Sequence, residues 1–114
     1  MAKFYFTSRA IHDLIEIEES SILRWGENQT KHYMKDMYES FKKIAQIPEI
    51  GRLRRDRTYP FFLAPVKQHY AVFHPIDQGI IIATVLHGRR DIERIVSNLS
   101  DRLSYEIEDL LSKL

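Results

Sequence analysis

Charged side chains follow directly after the most apolar stretch of this sequence. Residues 80–86 (IIIATVL) carry no charge, and His87-Gly88-Arg89-Arg90-Asp91 come immediately after them. Histidine transfers protons near neutral pH, and arginine binds phosphate or carboxylate groups. Because binding groups often lie where a buried strand ends, this segment is the first candidate for a functional site.

Two further groups of basic residues could take part in the same chemistry. They are Lys67 with His69, and the cluster of Arg52, Arg54, Arg55 and Arg57. Cleavage of RNA needs a base, an acid and cations that stabilise the charge on the phosphate. If the chain cleaves RNA, the catalytic candidates are therefore His87, His69, Arg89 and Lys67, supported by the arginine cluster.

Each of these residues also has an interpretation without catalysis. His87 could satisfy backbone groups at a strand end, and Arg89 or Arg90 could form an ordinary surface ion pair. The arginine cluster could be a solvated link or a site for an anionic partner. The histidines, at 12, 32, 69, 74 and 87, show no metal-ligand spacing, so we expect neither a metal nor a cofactor.

Composition excludes several classes of protein. A chain of 114 residues suits one domain, and it has no cysteine, which excludes a disulfide framework and a cysteine-based zinc site. No apolar run reaches the ~20 residues of a membrane span, and no signal peptide is visible. The net charge of +1 favours no partner, although Glu16, Glu18 and Glu19 form an acidic patch. We expect a cytoplasmic protein that does not enter a membrane.

Residue patterns predict elements in the order β-α-α-β-β-β-α. A strand at 3–6 leads to a helix at 8–25, with Thr7 or Ser8 as its cap and Gly26 at its end. Asn28 can cap a second helix, which must end before Pro48. Strands are predicted at 59–65, where the prolines either confine the strand to an edge or trim its ends, at 68–74, and at 80–86 in the sheet centre. Asp91 can cap a long final helix with a candidate kink at Ser100.

This order indicates an α+β fold, in which an antiparallel αα-hairpin packs on a small twisted antiparallel sheet. Helical spacing places Ile11, Leu14, Ile15, Ile22 and Trp25 on the buried face of the first helix. The final helix has more apolar surface than so small a domain easily buries. Its distal part, residues 103–114, either completes the core or docks onto a partner.

Several local motifs resemble the RelE/ParE superfamily of bacterial type II toxins. They are Asp13-Leu14, Trp25-Gly26, Ile47-Pro48-Glu49-Ile50-Gly51-Arg52, His69-Tyr70-Ala71-Val72-Phe73 and Val85-Leu86-His87-Gly88-Arg89-Arg90-Asp91. The last motif is most similar to the ParE branch. The resemblance divides the chain into a toxin domain at 1–91 and a C-terminal amphipathic helix at 92–114 that belongs to the same domain.

The resemblance implies the toxic half of a two-protein module. A cognate antitoxin, ParD-like or similar, would neutralise the toxin in a hetero-oligomer, and a homodimer is the other assembly to consider. ParE-like members are reported to poison DNA gyrase, which requires binding and no catalysis, whereas RelE-like members cut messenger RNA on the ribosome. A third alternative is a relative that binds without being toxic. The candidates for contact with the target or the antitoxin are Arg52, Arg54, Arg55, Arg57, His87, Arg89 and Arg90.

Overall fold

A five-stranded sheet lies between two helical layers in the computed structural model, which describes residues 2–53 and 61–114. The strands are β1 (Lys3–Phe6), β2 (Arg52–Leu53), β3 (Phe62–Val66), β4 (His69–Ile76) and β5 (Gly79–His87). The helices are α1 (Ser8–Trp25), α2 (Glu27–Gln46) and α3 (Ile92–Leu111), and a short 3-10 helix covers Pro48–Ile50. The predicted α+β fold is confirmed.

The sheet has the strand order β1-β5-β4-β3-β2. Neighbours pair antiparallel except for β1 and β5, which are parallel because α1 and α2 carry the chain across the sheet before it returns. β2 pairs with the first two residues of β3, where an exposed link was expected, so β3 is an edge strand only beyond Leu63. Pro65 is tolerated because the two residue pairs of β2 end at Leu63.

Local cap chemistry decides where the helices begin and end. Thr7 caps α1, and its side-chain oxygen accepts a hydrogen bond from the Ala10 amide. Gly26 ends α1 and directly precedes α2. Its φ is 84°, a left-handed conformation that favours glycine. The predicted Asn28 cap was therefore wrong, because α2 already begins at Glu27 and has no side-chain cap.

Both faces of β5 are buried, as the uniformly apolar segment predicted. On the hairpin side, Ile80 and Ile82 pack with residues of α1 and α2 such as Leu14 and Phe41. On the opposite side, Ile81 and Ala83 pack with α3. The sheet therefore separates two apolar cores, which is why a strand without polar alternation suits its interior.

The predicted apolar face of α1 was wrong by about one residue. The residues that pack inwards are Ala10, Leu14, Ile17 and Ser21, whereas Ile11, Ile15 and Ile22 are 48%, 49% and 39% exposed. Small side chains at positions 10 and 21 let the helix approach its neighbours closely. Larger isoleucines there would not fit without moving the backbone.

Most of α3 completes the second core. Val96, Leu103 and Ile107 are buried against the sheet, whereas Leu111 and Leu114 stay 39% and 50% exposed. A bidentate ion pair between Arg9 and Glu106, at 2.8 and 2.9 Å, joins α3 to the start of α1. The helix is continuous through Ser100. Of the two alternatives for its distal part, core packing applies through Ile107.

A β-bulge interrupts the pairing of β4 with β5. Val72 pairs with Thr84, but the next residue, Phe73, pairs with Ile82, so Ala83 is the extra residue. A residue inserted into a strand reverses which side chains point to which face. Accordingly Ile82 and Val85 both lie on the hairpin side of the sheet, although an odd number of positions separates them.

The start of α1 takes the place of a strand along the outer edge of β5. Because β1 ends opposite Ile82, no strand continues beside the next residues of β5. The Thr7 hydroxyl donates to the Ala83 carbonyl at 2.8 Å, and Asp13 Oδ2 accepts from Val85 N at 3.0 Å and from Thr84 Oγ1 at 2.5 Å. These side chains satisfy backbone groups that would otherwise be left without partners.

Replacing Asp13 with alanine should lower the free energy of unfolding by about 1–3 kcal/mol, because the Val85 amide and the Thr84 hydroxyl lose their acceptor. Urea unfolding of the purified variant measures this change. Glu16→Ala is the matched control, since that carboxylate lies one turn further along α1 and its side chain is 68% exposed. Equal stabilities of the two variants would show that the Asp13 contacts do not hold α1 to β5.

Candidate functional site

A cavity of about 300 Å³ opens between α1 and the ends of β4 and β5, and we call it the strand-end groove. One wall belongs to α1, which contributes Asp13, Arg24 and Trp25 among others. The other wall belongs to the sheet and to the segment after β5. Its lining residues are Gln68, His69, Val85, Leu86, His87 and Arg90. The groove therefore lies where the apolar stretch ends and the charged segment begins.

The bulge at Ala83 brings two histidines together in this groove. His69 and His87 are direct partners across β4 and β5, and their ring centroids are 5.0 Å apart. Without the extra residue, His87 would share the face of Ile81 and point towards α3. His74 lies five positions after His69 and so on the opposite face of β4.

The two histidines continue a row of aromatic rings. Trp25 packs against Tyr33 at 5.5 Å between ring centroids with the rings tilted by 58°, and Tyr33 meets His69 edge-on at 6.2 Å. With His87 the row reaches from the end of α1, across α2, to the end of β5. All four residues are partly exposed. The row thus presents aromatic surface to solvent along one side of the molecule.

A backbone hydrogen bond determines which nitrogen of His87 carries the proton. The Arg89 amide donates to His87 Nδ1 at 3.1 Å, so neutral His87 holds its proton on Nε2. The Tyr33 hydroxyl accepts from the Gln68 amide at 3.4 Å and lies 3.0 Å from His69 Nδ1, where either group can be the donor. His87 is therefore an N–H donor at Nε2, and His69 is joined to α2 through Tyr33.

His69 is held in its neutral form. Burial of the ring, and to a lesser extent repulsion from His87, lowers the pKa of His69 to about 4 from 6.5. At neutral pH its imidazole is consequently uncharged. A neutral imidazole has one N–H donor and one acceptor nitrogen.

The groove also contains cations that no described residue neutralises. Arg24 and Arg90 are exposed at the groove, and neither side chain forms an ion pair or a hydrogen bond with residues 2–53 or 61–114. Of the two carboxylates at the groove, Asp13 is occupied by β5, and Glu16 lies 3.5 Å from His12 Nε2 at the exposed surface. The remaining hydrogen-bonding capacity is mainly that of donors.

The structure brings together some of the sequence-predicted site residues and separates others. His69, His87 and Arg90 share the groove, and His87 also satisfies a backbone amide, as its non-catalytic interpretation expected. Lys67 instead lies 3.3 Å from Asp36, and Arg89 is exposed outside the groove lining. Arg52 begins β2. Arg54, Arg55 and Arg57 lie outside the described residues.

Sequence reasoning did not identify the contribution of the helices to this site. Trp25 was predicted on the buried face of α1, and Tyr33 at helical spacing looks like an ordinary member of the apolar stripe of α2. Neither Arg24 nor Gln68 was singled out, because an isolated polar residue at a helix end or in a turn carries no pattern.

In the part of the chain that the structure describes, no three metal-ligating side chains could hold an ion, and no helix could cross a membrane.

Replacing His69 with glutamine should reduce the dependence of stability on pH. Because folding lowers the pKa of His69, the unfolded chain binds more protons between about pH 4 and 6.5, so stability falls as the pH drops through this window. The partial exposure of the ring reduces the effect to about 1 kcal/mol between pH 7 and pH 5.

Urea unfolding of both chains at the two pH values measures this difference. The exposed His12, replaced by glutamine, is the control and should leave the pH dependence as it is in the unmodified chain. The lowered pKa of His69 would be contradicted if the unmodified chain were equally stable at both pH values. It would also be contradicted if the His69→Gln variant lost as much stability as the unmodified chain.

Comparison with known proteins assigns the chain to a family. A family model described as the ParE toxin of the type II toxin-antitoxin system parDE matches residues 4–92. Two relatives from Mycobacterium tuberculosis, strains CDC 1551 / Oshkosh and ATCC 25618 / H37Rv, are both named Toxin ParE1. Each is 24% identical over 94 residues, which are 82% of this chain and 96% of the relative.

A solved structure shows the same fold. It is described as the chromosomal ParDE TA system from P. aeruginosa, and it matches with a TM-score of 0.64 at 19% sequence identity. The match covers 76% of this chain and 96% of the solved chain. The family match ends at the first residue of α3, so that helix lies almost entirely beyond it. With a family model that spans residues 4–92, the chain belongs to the ParE toxin family of type II toxin–antitoxin systems.

Proposed function

We propose that this protein is a cytoplasmic bacterial toxin that inhibits DNA gyrase and is neutralised by a cognate antitoxin. The observation that carries the proposal is the family match over residues 4–92. Gyrase is the target that the resemblance to ParE toxins implies. The module in the solved relative is named for ParD and ParE together, which supports an antitoxin as the partner here.

The chemistry of the strand-end groove supports binding over RNA cleavage. A histidine that acts as a general base at Nε2 needs a free lone pair on that atom. Neutral His87 instead carries its proton on Nε2, and the lowered pKa of His69, about 4, makes that ring a weak base. Inhibition through a complex with gyrase and DNA requires recognition alone, and donors with unpaired arginines suit that role.

A separate surface on the αα-hairpin suits the antitoxin. Ile11, Ile15 and Tyr38, which we call the hairpin patch, are 48%, 49% and 39% exposed and border one shallow cavity. Lys31 and Lys35 lie on the same stripe of α2 as Tyr38, because the residues follow one another at spacings of four and three. Neither lysine is ion-paired with a described residue. A partner segment with apolar side chains and carboxylates fits this surface.

Expression of this chain alone in a bacterial host should arrest growth, and co-expression of its cognate antitoxin should restore growth. The purified chain should inhibit DNA supercoiling by gyrase, because the proposed inhibitor holds a gyrase–DNA complex. Normal growth in the presence of folded toxin without antitoxin would refute the proposal. Rapid loss of translation with cut messenger RNA, while supercoiling continues, would instead identify the RNA-cleaving alternative.

Replacing Ile15 with aspartate should separate neutralisation from toxicity. A charge in the apolar hairpin patch should weaken antitoxin binding by about 30- to 1,000-fold, as expected for a central interface residue, while the strand-end groove keeps its structure. Growth arrest should then persist although the antitoxin is present. Leu23→Asp is the matched control on α1, since Leu23 is 90% exposed and lies outside the patch. Equal neutralisation of both variants would remove the hairpin patch from the antitoxin interface.

A further inference from the structure

We infer that the strand-end groove binds single-stranded nucleic acid, with a phosphate at the histidine pair and a base against Trp25. This site goes beyond the proposed function, since an inhibitor of gyrase could act through protein contacts alone. The inference rests on four features of the groove: its donors, its unpaired cations, its aromatic wall and its size.

The donors at the histidine pair suit a phosphate oxygen. Two imidazoles, His69 and His87, lie 5.0 Å apart between ring centroids, and neutral His87 carries its N–H on Nε2. A ring N–H donor beside guanidinium groups that no described residue neutralises favours an anion. The groove carboxylate nearest to the strand end, Asp13, accepts two hydrogen bonds from β5 and so does not compete strongly for these donors.

The two arginines extend the anion site along the groove. Arg24 comes from α1 and Arg90 from the segment after β5, so they approach from opposite walls. Both are exposed and have no partner in the described part of the chain. Guanidinium groups that no carboxylate neutralises bind the successive phosphates of a nucleic-acid backbone well.

The aromatic wall distinguishes a nucleic acid from other anions. Trp25 lines the groove, and Tyr33 supports its ring at 5.5 Å. A tryptophan that is held in place and partly exposed offers a surface on which a base can stack, whatever its sequence. A carboxylate-rich peptide would use the arginines but would leave this wall without a matching group.

The size of the groove favours a single strand over a duplex. A volume of about 300 Å³ lies at the lower end of the range for small-molecule pockets, so it takes about one nucleotide unit. A base paired within a duplex cannot reach Trp25 without leaving its partner strand. The groove is therefore expected to select unpaired nucleotides.

Titration with a short oligothymidylate tests the inference without gyrase or antitoxin. Trp25 is the sole tryptophan of the chain, so stacking of a base should quench the intrinsic fluorescence directly. With two phosphates neutralised by Arg24 and Arg90, affinity should fall about 7-fold when salt rises from about 50 to about 200 mM. Because gyrase is absent from this assay, failure of the oligonucleotide to bind leaves the gyrase proposal standing. Failure of the chain to inhibit gyrase likewise leaves the nucleic-acid site standing.

Variants then locate the bound strand. Arg90→Ala should weaken binding about 10-fold and make the logarithmic salt dependence shallower by about 0.7, because one phosphate contact is lost. Trp25→Ala, followed by anisotropy of a labelled oligonucleotide, should also weaken binding about 10-fold. Arg102→Ala removes an exposed arginine of α3, on the other side of the sheet, and should change neither the affinity nor its salt dependence.

Four results would overturn the inference. The first is that the oligonucleotide changes neither the fluorescence nor the anisotropy. The second is that Arg102→Ala loses as much affinity as Arg90→Ala. The third is that duplex DNA binds as tightly as the single strand, and the fourth is that a glutamate-rich peptide quenches the fluorescence equally. The second would indicate unspecific attraction to basic protein, and the last a carboxylate receptor. Circular dichroism at the assay temperature verifies that each variant is folded.

Discussion

The hydrogen bonds that attach the start of α1 to the edge of β5 are the constraint on which the rest of the structure depends. β1 is too short to cover that edge, and Thr7 and Asp13 supply the missing acceptors and donors. This attachment positions α1 against the strand, and α1 in turn forms one wall of the strand-end groove. It also holds the Asp13 carboxylate against β5, where it forms no ion pair with Arg24 or Arg90. One polar contact thus serves both the fold and the electrostatics of the site.

The order and type of the elements could be predicted because their signals are local. Thr7 as a cap, Gly26 as a helix end and the apolar segment of β5 each act over a few residues. The orientation of α1 could not be predicted in the same way, because Ile11 and Ile15 look more suitable for a core than Ala10. Which face is buried depends on how closely the helix approaches its neighbours, and no local pattern records that distance.

The candidate site was foreseen only where it coincides with the end of β5. His87 and Arg90 follow an apolar strand, and that pattern marks them. Their neighbours come from distant parts of the chain, and the bulge at Ala83 reverses the alternation on which any prediction of strand faces relies. A sequence pattern therefore placed His87 near the rim of the sheet, but only the structure shows that it lies beside His69. The proton position on neutral His87 likewise follows from a hydrogen bond with the backbone.

The contacts that join the two ends of the chain imply an order of events during synthesis. Thr7 and Ala83 are 76 positions apart, and Arg9 and Glu106 are 97 apart. The helical hairpin can form early, but its attachment to the sheet must wait until β5 has left the ribosome, and the ion pair must wait for almost the whole of α3. The strand-end groove is consequently incomplete until the chain as far as Arg90 has left the ribosome.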